Sequence, residues 1–155
     1  MILQRKRTKE ILREAQAGFR AGRSTIDQLF TLRRLAESYS EFSRYLYVCY
    51  VDFQKAFDSV WRIGLWRAMR FLGYEDKIVR ILEALYQNTM SVVRVDTELS
   101  NWFLTVTGVM QGCVLSPVLF NILLEVVIAF ALQGTETEAT ISGALISNLR
   151  FADDI

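Results

Sequence analysis

The chain reaches its last numbered residues as "RFADDI", Arg150–Ile155, a small apolar run closing on two adjacent carboxylates, Asp153 and Asp154. An apolar segment of this kind reads as a strand. A strand that delivers a pair of aspartates at its tip makes either a turn or a cation site. A second carboxylate stands in a comparable setting far upstream. "SRYLYVCYVDF", Ser43–Phe53, is rich in valine and tyrosine and reads as a central buried strand with Asp52 near its end. A carboxylate there is costly unless it is paired or bound to a metal, although it can also cap the following turn.

The composition narrows the chemistry. The sequence has no histidine and two cysteines, Cys49 and Cys113. Histidine-based triads and histidine metal sites are therefore excluded, and aspartate leads for metal or acid–base work. The cysteines make no disulfide or zinc pattern and read as small buried residues in a reducing compartment. With 155 residues, 52% of them hydrophobic, the chain is long enough for one domain with a real core.

The net charge of +1 conceals an asymmetry. Residues 1–24 hold seven basic residues against Glu10 and Glu14, and the remainder is net acidic. A basic arm before an acidic body suits a polyanionic partner beside a carboxylate site; the same charges also suit a solvated helix face. No signal peptide is apparent in "MILQRKRTKE". "VLSPVLFNILLEVVIAFAL", Val114–Leu132, is long enough for a membrane span, but Glu125 in its middle makes a buried helix the better reading.

Along the chain, Ser24 with Asp27 three residues on forms a capping-box signature, and Ile26, Leu29, Phe30, Leu32 and Leu35 give the following helix its stripe. Ser59–Leu72 reads as a helix stopped by Gly73, with Asp58 as its cap. Asp76–Asn88 reads as another, with Ile78, Ile81, Leu82 and Leu85 inward. "SVVRVDTELSNWFLTVT" alternates on both sides of a turn near Glu98–Asn101, a hairpin signature. Ser116 precedes Pro117 at the start of a further helix. "GTETEAT" reads as a loop and Ala144–Phe151 as a last strand. Helices and strands are segregated, which makes the fold α+β. A third stretch, "GVMQGCVLSP", sets Gly108 and Gly112 about Gln111 before that helix; it suits close approach of a ligand to backbone, or an ordinary strand-to-helix connection.

Taken in order, Asp52, "QG…SP" and "FADD" resemble the three core motifs of the reverse transcriptase palm. "QAGFRAGRSTIDQLFTLRRL" and "DFQKAFDSVWR" resemble the corresponding segments of reverse transcriptases from non-LTR, LINE-like retrotransposons. The resemblance covers roughly Gln16–Ile155. It implies a right-hand polymerase palm with part of the fingers, truncated at the catalytic hairpin. Residues 1–42 are then the basic arm and the fingers-to-palm helix, and residues 43–155 the palm.

The implied activity is RNA-directed DNA synthesis on an RNA template and a DNA primer, from deoxynucleoside triphosphates, with no membrane partner, inside a eukaryotic cell, in nucleus or cytoplasm. Such chemistry uses two divalent ions about 3.5–4 Å apart, Mg²⁺ with Mn²⁺ as a substitute. The resemblance assigns the ions to Asp52, Asp153 and the Phe53 carbonyl, with Asp154 beside them. It places Lys55, Ala56, Gln111 and Gly112 at the incoming nucleotide, Phe57 as a gate under its sugar, and Arg20 and Arg23 on template phosphates. The return strand of the hairpin, the thumb and most of the fingers are not in the sequence. The isolated chain is accordingly expected to lack polymerase activity. The alternative is a truncated or decayed remnant acting at most as a weak nucleic-acid-binding module.

Overall fold

The structure, a computed structural model, describes residues 5–135, 139–141 and 143–155. Residues 136–138 of the expected "GTETEAT" loop lie outside these, as does the start at Met1. Among the described residues five helices and six short strands make an α+β arrangement: α1 (Arg5–Ile11), α2 (Thr25–Glu41), α3 (Arg62–Phe71), α4 (Asp76–Tyr86), β1 (Met90–Ser91), β2 (Arg94–Val95), β3 (Glu98–Leu99), β4 (Phe103–Leu104), α5 (Ser116–Ala131), β5 (Ala139–Ile141) and β6 (Ala144–Ile146). They fall into two compact units. One comprises the residues up to Ile11 with Lys55–Leu123; the other comprises Leu12–Gln54 with Leu124–Ile155.

The first unit has an apolar core. Leu65 and Met69 of α3, Val79 and Leu82 of α4, and Leu119 and Ile122 of α5 are fully buried. The stop at Gly73 is as the sequence predicts. Gly73 sits at φ +77°, its N–H donates to the Arg70 carbonyl, and the Tyr74 N–H donates to the Met69 carbonyl. That is a Schellman ending, with Tyr74 and Met69 both buried. The start of α3 differs from expectation. The helix begins at Arg62 after Trp61, and Asp58 does not cap it. The Asp58 carboxylate instead accepts a hydrogen bond from Gln111 Nε2, at 3.0 Å. The inward face of α4 is also rotated, since Val79, Leu82 and Tyr86 are buried while Ile81 and Leu85 are exposed. Tyr86 accounts for the rotation. Its ring packs edge-on against Trp66 and its hydroxyl lies 3.4 Å from Ser116 Oγ, so an aromatic with a polar tip takes a core position. The predicted hairpin forms, but its turn lies at Asp96–Thr97, between β2 and β3, rather than at Glu98–Asn101. Outside it, β1 pairs with β4.

The second unit is built differently. α2 starts with the predicted capping box, the Ser24 N–H donating to Asp27 Oδ2 at 2.8 Å. Of its predicted stripe only Leu35 is buried, and Ile26, Leu29 and Phe30 are exposed. The strand expected over Ser43–Phe53 is not formed: no strand is assigned there, and Tyr45, Tyr47 and Tyr50 are exposed. A run of β-formers becomes a strand only against partners. Among the described residues Ser43 and Arg44 bond back to the end of α2, and only Val51 pairs with a distant segment, at Ile155. Cys49 is exposed and Cys113 half-buried, so neither is the buried residue expected from its size. The last strand is shorter than predicted: β6 ends at Ile146 and pairs with β5, which takes Ala139 and Thr140 out of the expected loop. Beside Leu12, Leu35 and Leu124 this unit buries the polar residues Gln16, Glu125 and Arg150. The Arg150 guanidinium donates through Nη2 to both oxygens of Glu125, at 3.2 Å each. No helix among the described residues is long and apolar enough to cross a membrane.

Candidate active site

The "FADD" segment folds as a two-residue hairpin turn. Phe151 and Asp154 exchange both backbone hydrogen bonds, at 2.9 and 3.2 Å, with Ala152 and Asp153 at the tip. Ala152 takes φ +59°, the left-handed region that alanine enters rarely and that clusters at functional sites. On the incoming side, Arg150 lies parallel to Gln16. Its N–H donates to the Ala15 carbonyl and its own carbonyl accepts from Ala17 N–H, both at 2.8 Å.

On the outgoing side, Ile155 and Val51 exchange both backbone hydrogen bonds, at 2.8 and 3.2 Å. Two residues that trade both bonds are directly opposed in an antiparallel pair. The exchange places Asp52, the residue after Val51, next to the turn that carries Asp153 and Asp154. The pairing thus carries Asp52 to a turn that lies roughly a hundred positions later in the sequence. Asp52 and Asp154 are exposed; Asp153 and Phe53 are half-buried. Among the described residues no basic side chain pairs with any of the three aspartates, and no cluster of three or more ligand side chains is assembled. Carboxylates brought near one another without a cation repel each other, and hard divalent ions relieve such repulsion through oxygen ligands.

The residues expected at the nucleotide lie in the other unit. Lys55 is exposed at φ +52° and Ala56 is buried. The Phe57 ring stacks on Phe120 with centroids 4.7 Å apart. The segment from Phe57 to Val60 runs beside Gly108–Gln111: the Phe57 carbonyl accepts from Val109 N–H and the Val60 carbonyl from Gly108 N–H, both at 2.9 Å. With the Asp58–Gln111 bond, this brings Phe57 and Gln111 into one local assembly. Gly108 is required there: at φ +80°, a Cβ would stand 2.8 Å from the Asp58 carbonyl oxygen. Gly112, at φ +76°, faces open space.

Arg62 fastens this assembly and carries no sequence signal. Its guanidinium is buried and donates to the carbonyls of Gly108, Tyr86, Thr105 and Thr107 at 2.7–3.2 Å. Burial holds its pKa below the ordinary arginine value. Gln16 is the other residue that the sequence reading missed. Its side chain is fully buried and bonds both backbone polar groups of Ala152. The only hint was its place between two alanines and just before Gly18, whose Cβ would fall 2.1 Å from the Ala152 nitrogen. Arg20 and Arg23 are engaged within the chain. Arg20 Nη1 donates to the Arg13 and Gln16 carbonyls at 2.7 and 3.0 Å, and Arg23 pairs with Glu14.

Comparison with known proteins agrees with the motifs. The family described as reverse transcriptase (RNA-dependent DNA polymerase) matches residues 1–155. The chain is 31% identical over 114 residues to a probable RNA-directed DNA polymerase from transposon BS of Drosophila melanogaster, covering 74% of this chain and 12% of that protein. It is 34% identical over 106 residues to a retrovirus-related Pol polyprotein from type-1 retrotransposable element R2 of Popillia japonica, 68% of this chain and 17% of the relative. It is 32% identical over 127 residues to the RNA-directed DNA polymerase from mobile element jockey of Drosophila funebris, 79% and 14%. The chain therefore spans less than a fifth of these relatives. A whole-length family match, together with a backbone pairing that joins the first aspartate motif to the "FADD" turn, makes this chain a member of the reverse transcriptase family, of the kind carried by non-LTR retrotransposons.

Proposed function

We propose that this chain is the palm segment of an RNA-directed DNA polymerase that extends a primer 3′-hydroxyl on an RNA template with deoxynucleotides. The observation that carries the reading is the Val51–Ile155 exchange, which sets Asp52 against the "FADD" turn. Residues 1–42 form the basic arm and fingers-to-palm helix, and residues 43–155 the palm.

The donor set suits divalent magnesium, or manganese, because it consists of oxygens alone: Asp52, Asp153, the Phe53 carbonyl and the neighbouring Asp154. Two such ions, when bound, lower the pKa of the attacking hydroxyl and neutralise charge on the reacting phosphates. Asp52 and Asp153 hold that charge in place, and the hairpin fixes their backbones before substrate arrives. Lys55, Ala56, Gln111 and Gly112 line the incoming nucleotide, the open space at Gly112 leaving backbone accessible to it. Arg20 and Arg23 meet template phosphate. For Arg23 this requires exchanging its Glu14 partner for phosphate. The reaction takes place inside a eukaryotic host cell, in nucleus or cytoplasm.

The test is primer extension on poly(rA) with Mg²⁺, using a protein that carries this segment with its own flanking sequence. Synthesis that depends on Asp52 supports the reading. A folded protein that binds RNA and extends nothing favours a remnant.

Phe57 is the gate in this scheme. Its ring is held by the Phe120 stack rather than left to swing, so a ribose 2′-hydroxyl would meet a fixed wall. Phe57→Val is expected to raise the ratio of ribo- to deoxynucleotide incorporation about 10–100-fold, the discrimination that a few pocket carbons supply. Competition assays on one template read this ratio, and an unchanged ratio removes Phe57 from the gate.

A further inference from the structure

We propose that Gln16 is a positioning residue for Asp153, acting through the backbone of Ala152; this rests on the reading of Asp153 as a metal ligand. Gln16 Oε1 accepts the Ala152 N–H at 2.9 Å, and Gln16 Nε2 donates to the Ala152 carbonyl at 3.1 Å. One side chain thus satisfies both polar groups of the residue before Asp153, as the edge of a neighbouring strand would. Ala152 is the strained residue of the turn, at φ +59°, and the orientation of its carbonyl sets the peptide plane that leads into Asp153. The clamp therefore determines where the Asp153 carboxylate is presented.

The clamp is itself anchored. Gln16 Oε1 also accepts the Gly18 N–H at 2.8 Å, the Gln16 carbonyl accepts from Arg20, and the segment is bridged to Arg150. Gly18 is the other half of the device, because any Cβ there would collide with the Ala152 nitrogen. The chemistry specifies a neutral amide. A carboxylate could accept from Ala152 but could not donate to its carbonyl, and a shorter amide would not reach.

The experiment measures Mn²⁺ binding to the 155-residue chain by electron paramagnetic resonance, with Mn²⁺ alone as the probe. Gln16→Met keeps the length and bulk and removes both hydrogen bonds to Ala152, together with the one from Gly18. Gln16→Asn keeps an amide that falls short by one carbon–carbon bond, about 1.5 Å. Both are expected to raise the Mn²⁺ dissociation constant at least tenfold, the range for loss of a group that orients a metal ligand. Circular dichroism is expected to stay as in the unsubstituted chain. Asp153→Ala is measured alongside. If it abolishes binding while both Gln16 variants bind as the unsubstituted chain does, the clamp is overturned and the metal reading stands. If Asp153→Ala leaves binding unchanged, the metal reading fails and the clamp with it. Unfolding of both Gln16 variants would assign Gln16 to stability and overturn its positioning role.

Discussion

Asp52→Ala, in a protein carrying this segment with its flanks, is expected to lower primer extension by about 10³-fold or more while leaving the folded state and RNA affinity nearly unchanged. The rate follows from the chemistry. Ions held by oxygen ligands contribute several kcal/mol to stabilising charge in phosphoryl transfer, and each 1.4 kcal/mol is a factor of ten. The unchanged stability follows from the structure. Asp52 is exposed, and among the described residues its carboxylate joins no ion pair or hydrogen bond, so its removal leaves no buried partner behind. The unchanged RNA affinity follows because binding to a phosphate backbone is carried by cations, not by carboxylates. Three measurements decide it: extension rate, thermal midpoint and RNA affinity at fixed salt. Loss of RNA binding in step with activity would make Asp52 a structural residue.

The parts of this molecule that the sequence discloses are those specified by local chemistry. Ser24 with Asp27, and Gly73 after an amphipathic run, each mark a helix end whose orphan backbone groups need a particular partner, and both ends form as read. Register and burial depend on distant partners, and there local reading failed. Ser43–Phe53 has the composition of a central strand, but among the described residues only Val51 finds a backbone partner on a distant segment, so its tyrosines stay in solvent. On α4 the aliphatic count pointed to Ile81 and Leu85, whereas the buried line runs through Tyr86.

The candidate site divides in the same way. Asp52, Asp153 and Asp154 were legible because carboxylates in apolar surroundings stand out, and because their order along the chain resembles a known set of motifs. The residues that hold them and their neighbours in place were not. Gln16 and Arg62 act almost wholly on backbone carbonyls and amides, and a side chain that bonds to main chain leaves no partner pattern in sequence to be read.

Arg62→Leu is expected to destabilise the protein by about 3 kcal/mol, seen as a fall of roughly 10 °C in the thermal midpoint of a chain this size. Arg62 is a buried cation with no carboxylate partner among the described residues; its four hydrogen bonds all go to carbonyls, and Tyr86 adds its ring face 5.1 Å away. Leucine supplies the bulk and none of the donors. The buried Gly108 carbonyl would then be left unmet, at a cost of about 1–3 kcal/mol, while the Tyr86 carbonyl keeps the Thr89 hydroxyl as its donor and the carbonyls nearer the surface recover water. Burial depresses the Arg62 pKa only from the high arginine value, so the side chain stays charged and its donors are present throughout the neutral range. Because Gly108 leads directly to Gln111, loss of the Arg62 anchor frees the loop that carries Gln111 beside Asp58. The deoxynucleotide KM is therefore expected to rise at temperatures where the variant remains folded. Arg62→Lys restores charge but not the fork of donors, and it should recover less than half of the lost stability. Calorimetry on the unsubstituted chain and the two variants decides the matter: an Arg62→Leu midpoint equal to that of the unsubstituted chain would show that the carbonyls are satisfied without the guanidinium.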